Sequence, residues 1–172
     1  MSRETTCCFT GHRPGKLPWG EDEWDDRCVA LKDRLTREVE RAYDQGMRHF
    51  LCGMAQGADL YFCEAVLAFR RVHPEVRIEA AIPCPGQASR WPAPQRERWT
   101  RLVAQCDLET LVQPDYTPSC MARRNRYMVE RSSMIIAVYD GMPGGTRQTL
   151  AYALREGLRL VQIDPEEPWR EQ

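Results

Sequence analysis

Three glycine-bearing segments follow short apolar runs: Thr10-Gly11-His12-Arg13-Pro14-Gly15, Gly53-Met54-Ala55-Gln56-Gly57-Ala58-Asp59 and Asp140-Gly141-Met142-Pro143-Gly144-Gly145-Thr146. Glycine has no Cβ, so its amide can approach an anion closely and its backbone can take positive φ. Two of the segments run directly into predicted helices, whose N-termini add unpaired N–H donors and partial positive charge. Together these features suit the holding of phosphate. Thr10, Gly11, His12 and Arg13 of the first segment are candidate ligand residues. So are Gly53, Gly57, Ala58 and Asp59 of the second, and Asp140, Gly144, Gly145 and Thr146 of the third. Thr146 adds a hydroxyl beside the Gly144 and Gly145 amides, Arg13 a permanent charge, and His12 a phosphate ligand or general acid. Tight strand–helix turns recruit glycine for steric reasons alone. Three such turns at one predicted sheet edge favour binding, because ligands of open α/β sheets sit outside the carboxyl ends of the strands. Neither G-x-G-x-x-G after the first strand nor G-x-x-x-x-G-K-[ST] is present, which disfavours the ordinary dinucleotide and P-loop classes.

Met121–Arg131 (MARRNRYMVER) concentrates arginines on one short helix. Successive helical residues differ by about 100°, so they cannot all face one site. Arg124, Met128 and Arg131 share one face, and Arg123, Arg126 and Tyr127 another. Most are expected to be solvated, and one on the sheet-edge side can clamp a phosphate with its planar fork.

The elements that must carry these residues alternate regularly. Strands are expected at Thr5–Thr10, Met47–Cys52, Val76–Ile82, Leu108–Val112, Ser133–Tyr139 and Leu158–Ile163, with Ser133–Tyr139 the clearest buried one. Helices are expected at Glu23–Gln45, Gly57–Val72, Gln95–Gln105, Ser119–Arg131 and Thr146–Glu156. Gly46, Pro74 and Gly157 are stop signals, Ser119 a candidate N-cap, and Asp59 a helix-start residue that can cap. Between them lies an irregular segment marked by Pro83, Pro85, Pro92 and Pro94. The order βαβαβαβαβαβ predicts a mostly parallel sheet with helices on both faces. Residues 1–164 are expected to form one domain, and 165–172 a polar, loosely ordered tail.

Composition narrows the partners. A formal net charge of -1 gives no global footprint for nucleic acid, which is disfavoured as a partner. No apolar run approaches the roughly 18 residues of a membrane span, and the N-terminus lacks an apolar secretory core, so no membrane partner and a cytoplasmic location are expected. The eight cysteines form no C-x-x-C pair and no zinc-like spacing. They read as buried thiols of a reducing compartment, and the adjacent Cys7 and Cys8 as residues on opposite faces of a strand. No metal and no cofactor is expected. Trp19, Trp24, Trp91 and Trp99 flank the proline-rich loops, where packing is their ordinary role and stacking on a base the functional alternative.

FTGHRP, GMAQGAD, RRNRYMVERSSMIIAVYDG and PGGTRQTLAYA together resemble the YpsA-like branch of the SLOG superfamily, over about Cys7–Ile163. That superfamily also contains the Lonely Guy phosphoribohydrolases and the DNA-processing protein DprA. The resemblance implies a three-layer Rossmann-like fold, a bacterial protein and a nucleotide-like small molecule at the glycine turns. It also implies a sensing or nucleotide-processing role and, since superfamily relatives dimerise, a homodimer. Some members are linked to bacterial cell division. Against the Lonely Guy pattern, Arg124 stands where the arginine of an Arg-Lys pair is expected and Asn125 where the lysine is; both join the candidate ligand residues. Pro143, Gly144 and Gly145 match the PGG of that family, but residues 146–152 contain no glutamate. That glutamate is the catalytic carboxylate for cleaving the N-glycosidic bond. Any such activity here would need another acid, with Asp59 and Asp140 the candidates and Glu130 a further acid near the edge. Single-stranded DNA binding, as in DprA, is the weaker expectation.

Overall fold

The computed structural model describes residues 1–171. Its strands are β1 (Thr6–Gly11), β2 (His49–Cys52), β3 (Arg77–Ile82), β4 (Leu108–Leu111), β5 (Met134–Val138) and β6 (Arg159–Ile163). Its helices are α1 (Asp26–Asp44), α2 (Ala58–Val72), α3 (Ala93–Gln105), α4 (Cys120–Glu130) and α5 (Gly145–Arg155). The sheet runs β4-β3-β2-β1-β5-β6 with every pairing parallel. The chain winds outward from β1 to β4, then crosses to the other side of β1 for β5 and β6. That reversal opens a crevice at the carboxyl ends of β1 and β5, where ligands of such sheets bind.

The alternation of side chains along each strand builds the two flanking layers. Cys7 and Phe9 join a core with Leu31, Leu35 and Val39 of α1, Leu60 and Phe62 of α2 and Leu102 of α3. Cys8, one residue away, joins the opposite core with Met128 and Val129 of α4 and Leu150 and Ala153 of α5. The structure is thus the three-layer Rossmann-like arrangement, helices on both faces. Phe9 stacks on Phe62 with ring centroids 4.4 Å apart, which ties the start of α2 to β1 and so brings the second glycine segment beside the first. All eight cysteines are free thiols, seven of them buried.

Three local expectations are corrected. The first long helix begins at Asp26, not Glu23, because Asp25 accepts the Arg27 N–H and caps it. Trp24 therefore lies before the helix, 90 % exposed, and Val29 within it also faces outward. Ser119 occupies the N-cap position of α4 but its side chain makes no capping bond; its hydroxyl meets that of Thr117 instead. The C-terminal segment is not loose. Buried Arg34 donates to the carbonyls of Pro168 and Arg170, and Arg41 pairs with Glu171, so the segment lies along α1; Gln172 is outside the described residues. No helix among the described residues is long and apolar enough to cross a membrane.

Candidate functional site

A cavity of about 350 Å³ opens at the β1/β5 crevice. Of the candidate ligand residues, Thr10, Gly11, His12, Arg13, Asp59, Arg124, Asn125, Gly145 and Thr146 line it. They come from all three glycine segments and from α4, so the switch in strand order gathers residues far apart in the chain.

Arg124 is the most unusual of them. The residue is only 4 % exposed, yet no carboxylate lies within ion-pair range of its guanidinium among the described residues. Nη1 donates to the carbonyls of Gly53 and, at 3.4 Å, Ala81, and Nε to Asn125 Oδ1 at 2.9 Å. Nη2 meets only the thioether of Met121, at 3.8 Å. Burial lowers the pKa of Arg124, and the negative charge of Asp59 opposes that; a guanidinium remains charged in proteins regardless. Desolvated charge of this kind is costly unless something neutralises it.

Asp59 is buried too. Its Oδ2 accepts the Ala55 N–H at 3.0 Å, so it pins the loop between β2 and α2 rather than capping its helix, whose N-cap is Gly57. Burial raises its pKa, with Arg124, the Ala55 amide and Arg13 pulling the other way.

His12, 3 % exposed, sits in a relay. Its Nε2 lies 2.9 Å from Asp140 Oδ1 and 3.1 Å from the Asp140 amide nitrogen, and its Nδ1 lies 3.4 Å from the Thr146 hydroxyl. If Nε2–H donates to the carboxylate, Nδ1 accepts from Thr146; the other tautomer accepts the Asp140 amide at Nε2 and donates at Nδ1. Burial pushes Asp140 up, but the Met142 N–H and His12 outweigh it and hold the carboxyl below its usual range. This hydroxyl–imidazole–carboxylate grouping was not legible in the sequence, since 128 residues separate His12 from Asp140.

At the N-terminus of α5, Gly144 is the N-cap with φ 150 and ψ -168, and no side chain caps the helix. The first amides, of Gly145, Thr146 and Arg147, therefore face outward without an intrahelical acceptor. Asn125 donates to Thr149 Oγ1 at 2.9 Å, fastening α4 to α5 across the cavity.

The remaining candidates stand behind the wall. A Cβ on Gly53 would come within 2.6 Å of Arg124 Cζ, so the missing side chain makes room for the guanidinium. Gly57 packs against the His12 carbonyl, and the Ala58 N–H donates to that same carbonyl at 3.2 Å, which removes it as a ligand donor. Asp140 lies behind His12, in contact with its Nε2. Gly144 lies against Lys16, whose Nζ donates to the Pro143 carbonyl at 3.1 Å. Residues the sequence reading missed are Lys16 and the lining residues Phe9, Gly15, Ala55, Met121 and Met128. The signal for Lys16 was present in Pro14-Gly15-Lys16, which makes a short 3₁₀ turn directly after β1; the apolar residues carry no chemical signal. Of the acids considered, Asp59 alone lines the cavity; Glu130 accepts a bond from Tyr152 Oη elsewhere.

An open parallel sheet with helices on both faces and a crevice at its switch point defines a Rossmann-like α/β domain. The chain matches the family model YpsA, described as the YspA SLOG family, over residues 7–164. It belongs to that family. It is 30 % identical over 153 residues to the uncharacterized SPbeta prophage-derived protein YoqJ of Bacillus subtilis strain 168, covering 80 % of this chain and 90 % of that one. It is 25 % identical over 139 residues to the UPF0398 protein YpsA of the same organism, covering 77 % and 74 %. Two solved DNA processing protein A structures share the fold. The Helicobacter pylori protein, described for its single-stranded DNA binding mode, superposes with a TM-score of 0.62 at 14 % identity, covering 96 % of this chain and 71 % of that one. The Streptococcus pneumoniae protein gives 0.60 at 16 %, covering 93 % and 50 %.

Proposed function

We propose that the chain binds a nucleotide or nucleotide-derived phosphorylated ligand, its phosphate between Arg124 and the first amides of α5, as a sensor or regulatory domain. The observation that carries this reading is the buried Arg124 guanidinium without a carboxylate partner, facing the same cavity as an uncapped helix N-terminus. An anion there receives a planar fork and the N-terminal donors of α5, with Arg13 and Lys16 at the rim. Calorimetric titration with ribose 5-phosphate and nucleoside 5′-monophosphates tests it. Binding that Arg124→Ala weakens severely is expected; binding indifferent to that substitution would overturn it. The same titration, followed for released base, tests the hydrolase alternative: Asp59 is the acid in contact with the cavity, and turnover abolished by Asp59→Asn would move the protein into that class.

A second reading, single-stranded DNA, gains from the DprA neighbours and from one feature of this surface. Aromatic and basic side chains are mixed in the two cavities that neighbour the first: Trp91, Tyr116 and Arg90 in one, Tyr152, Arg126 and Arg155 in the other. That is the interleaving a single strand uses, and it weighs against excluding nucleic acid on net charge alone. Anisotropy of a labelled oligonucleotide distinguishes the two: steeply salt-dependent affinity that exceeds mononucleotide affinity would favour DNA.

A further inference from the structure

A larger cavity, about 480 Å³, lies beside the first, walled by Cys84, Gln87, Arg90, Trp91, Tyr116 and Met121. The two are joined by a neck of about 50 Å³, which shares Arg13, Ala55 and Met121 with the first and Gln87, Trp91 and Met121 with the second. The neck is fixed in place. Gln87 donates from Nε2 to the Gly53 carbonyl at 2.9 Å, the same carbonyl that receives Arg124, and accepts from Trp99 Nε1 at 3.0 Å.

The walls of the second cavity hold unused aromatic surface. Tyr116 is 72 % exposed, and neither its ring nor its hydroxyl has a partner among the described residues. Trp91 packs one part of its ring on the core and leaves its Nε1–H without an acceptor among the described residues. Arg90 makes no ion pair there. The aromatic on the opposite side of the first cavity is already engaged. Arg126 and Arg155 lie 4.9 and 5.6 Å from the centroid of the Tyr152 ring, and its hydroxyl donates to Glu130. Of the two flanks, the one at Trp91 and Tyr116 is the one whose aromatic rings carry no cation over them among the described residues.

We propose that this second cavity is a subsite for the planar heterocycle of a nucleoside 5′-phosphate, held against Trp91 and Tyr116, with the sugar crossing the neck between Arg13 and Gln87. The inference rests on the reading of the first cavity as a phosphate site. In the neck, Arg13 and Gln56 offer a guanidinium and an amide to sugar hydroxyls, and Trp91 Nε1 offers a donor to a ring nitrogen or carbonyl. Arg90 adds a flat cation that stacks on heterocycles.

The test compares ribose 5-phosphate, which lacks the base, with the four nucleoside 5′-monophosphates by calorimetry, on the full chain and on Tyr116→Ala and Trp91→Leu. Tyr116 is exposed enough that its loss leaves folding intact, which circular dichroism verifies. At least one nucleotide is expected to bind roughly tenfold or more tighter than ribose 5-phosphate, as base–aromatic stacking implies. Each substitution is expected to remove most of that advantage, and Tyr116→Ala, whose side chain lies outside the neck, to leave ribose 5-phosphate affinity within about twofold. Nucleotide affinity unchanged in both variants would overturn the subsite while leaving the phosphate site standing, provided ribose 5-phosphate still binds and Arg124→Ala abolishes it. Failure of every probe to bind the unmodified protein would overturn both.

Discussion

Replacing Gly53 with alanine tests how Arg124 is held. The new Cβ would lie 2.6 Å from Arg124 Cζ and Nη1 and 2.9 Å from Nε, whereas ordinary contact begins near 3.4 Å. The guanidinium must yield by about an ångström, or the backbone of the β2–α2 loop must. Either way the bonds from Nη1 to Gly53 and Ala81 lengthen, and hydrogen bonds to charged groups contribute about 1.5–3 kcal/mol each. Partial relaxation leaves an expected loss of about 2–3 kcal/mol in stability, or roughly 5–10 °C in Tm for a chain of this size. A fork displaced by that much no longer meets the α5 amides around one anion, so ribose 5-phosphate affinity should fall about 10- to 100-fold. Gly15→Ala is the control, since its Cβ meets nothing within 4 Å; it should leave Tm unchanged. Thermal denaturation and calorimetry read both effects. Gly53→Ala with the Tm and affinity of the parent would refute the account of Gly53 as the space that Arg124 occupies.

Other outcomes follow from the same geometry. Gly144 has a backbone that glycine alone adopts easily, so Gly144→Ala should cost about 1–3 kcal/mol in denaturant unfolding, while Gly145→Ala should be nearly neutral because its Cβ meets open space. Gly145→Val should fold yet lose phosphate binding, since its branched side chain fills the cavity mouth. Asp140 has a folded pKa below its unfolded value; its stabilisation is complete above that unfolded value and is lost as pH falls through it toward the folded pKa. Asp140→Asn should therefore flatten the acid limb of the stability profile. Asp59 has the opposite sign: its raised folded pKa makes ionisation costly, so stability declines as pH rises from the unfolded to the folded value. Asp59→Asn should remove that decline, raise Tm at neutral pH and strengthen anion binding a few-fold by removing a competing charge beside Arg124.

Much of the fold was legible because it is local. The short runs of Cys7–Phe9 and Met134–Val138 have no polar face, as strands covered on both sides must, and Gly46, Pro74 and Gly157 end their helices where backbone chemistry requires. Even the switch point could be aimed at, because glycines cluster after β1, β2 and β5. What periodicity cannot give is strand order, and with it the meeting of His12 with Asp140 or of Arg124 with Gly53. The roles of Gly53, Gly57 and Ala58 shifted for this reason. They looked like ligand donors along the chain, but in three dimensions they make room for Arg124 or bind the His12 carbonyl. Trp24 was drawn into a helix by its spacing, although Asp25 had the chemistry of a cap. The docking of the C-terminal segment was hidden because it depends on Arg34, a charged residue in the middle of a helix that is buried against Glu38 and the carbonyls of that segment.

The central claim is that an anion sits between Arg124 and the N-terminus of α5. Titration of the ¹⁵N-labelled protein with ribose 5-phosphate, followed by NMR, tests it most directly. The account predicts that the amides of Gly145, Thr146 and Arg147 and the Arg124 side-chain Nε–H shift together, saturably, and that Arg124→Ala removes the response. Shifts confined to the opposite end of the sheet, around His49 and Glu79, or no saturable shift at α5, would contradict it.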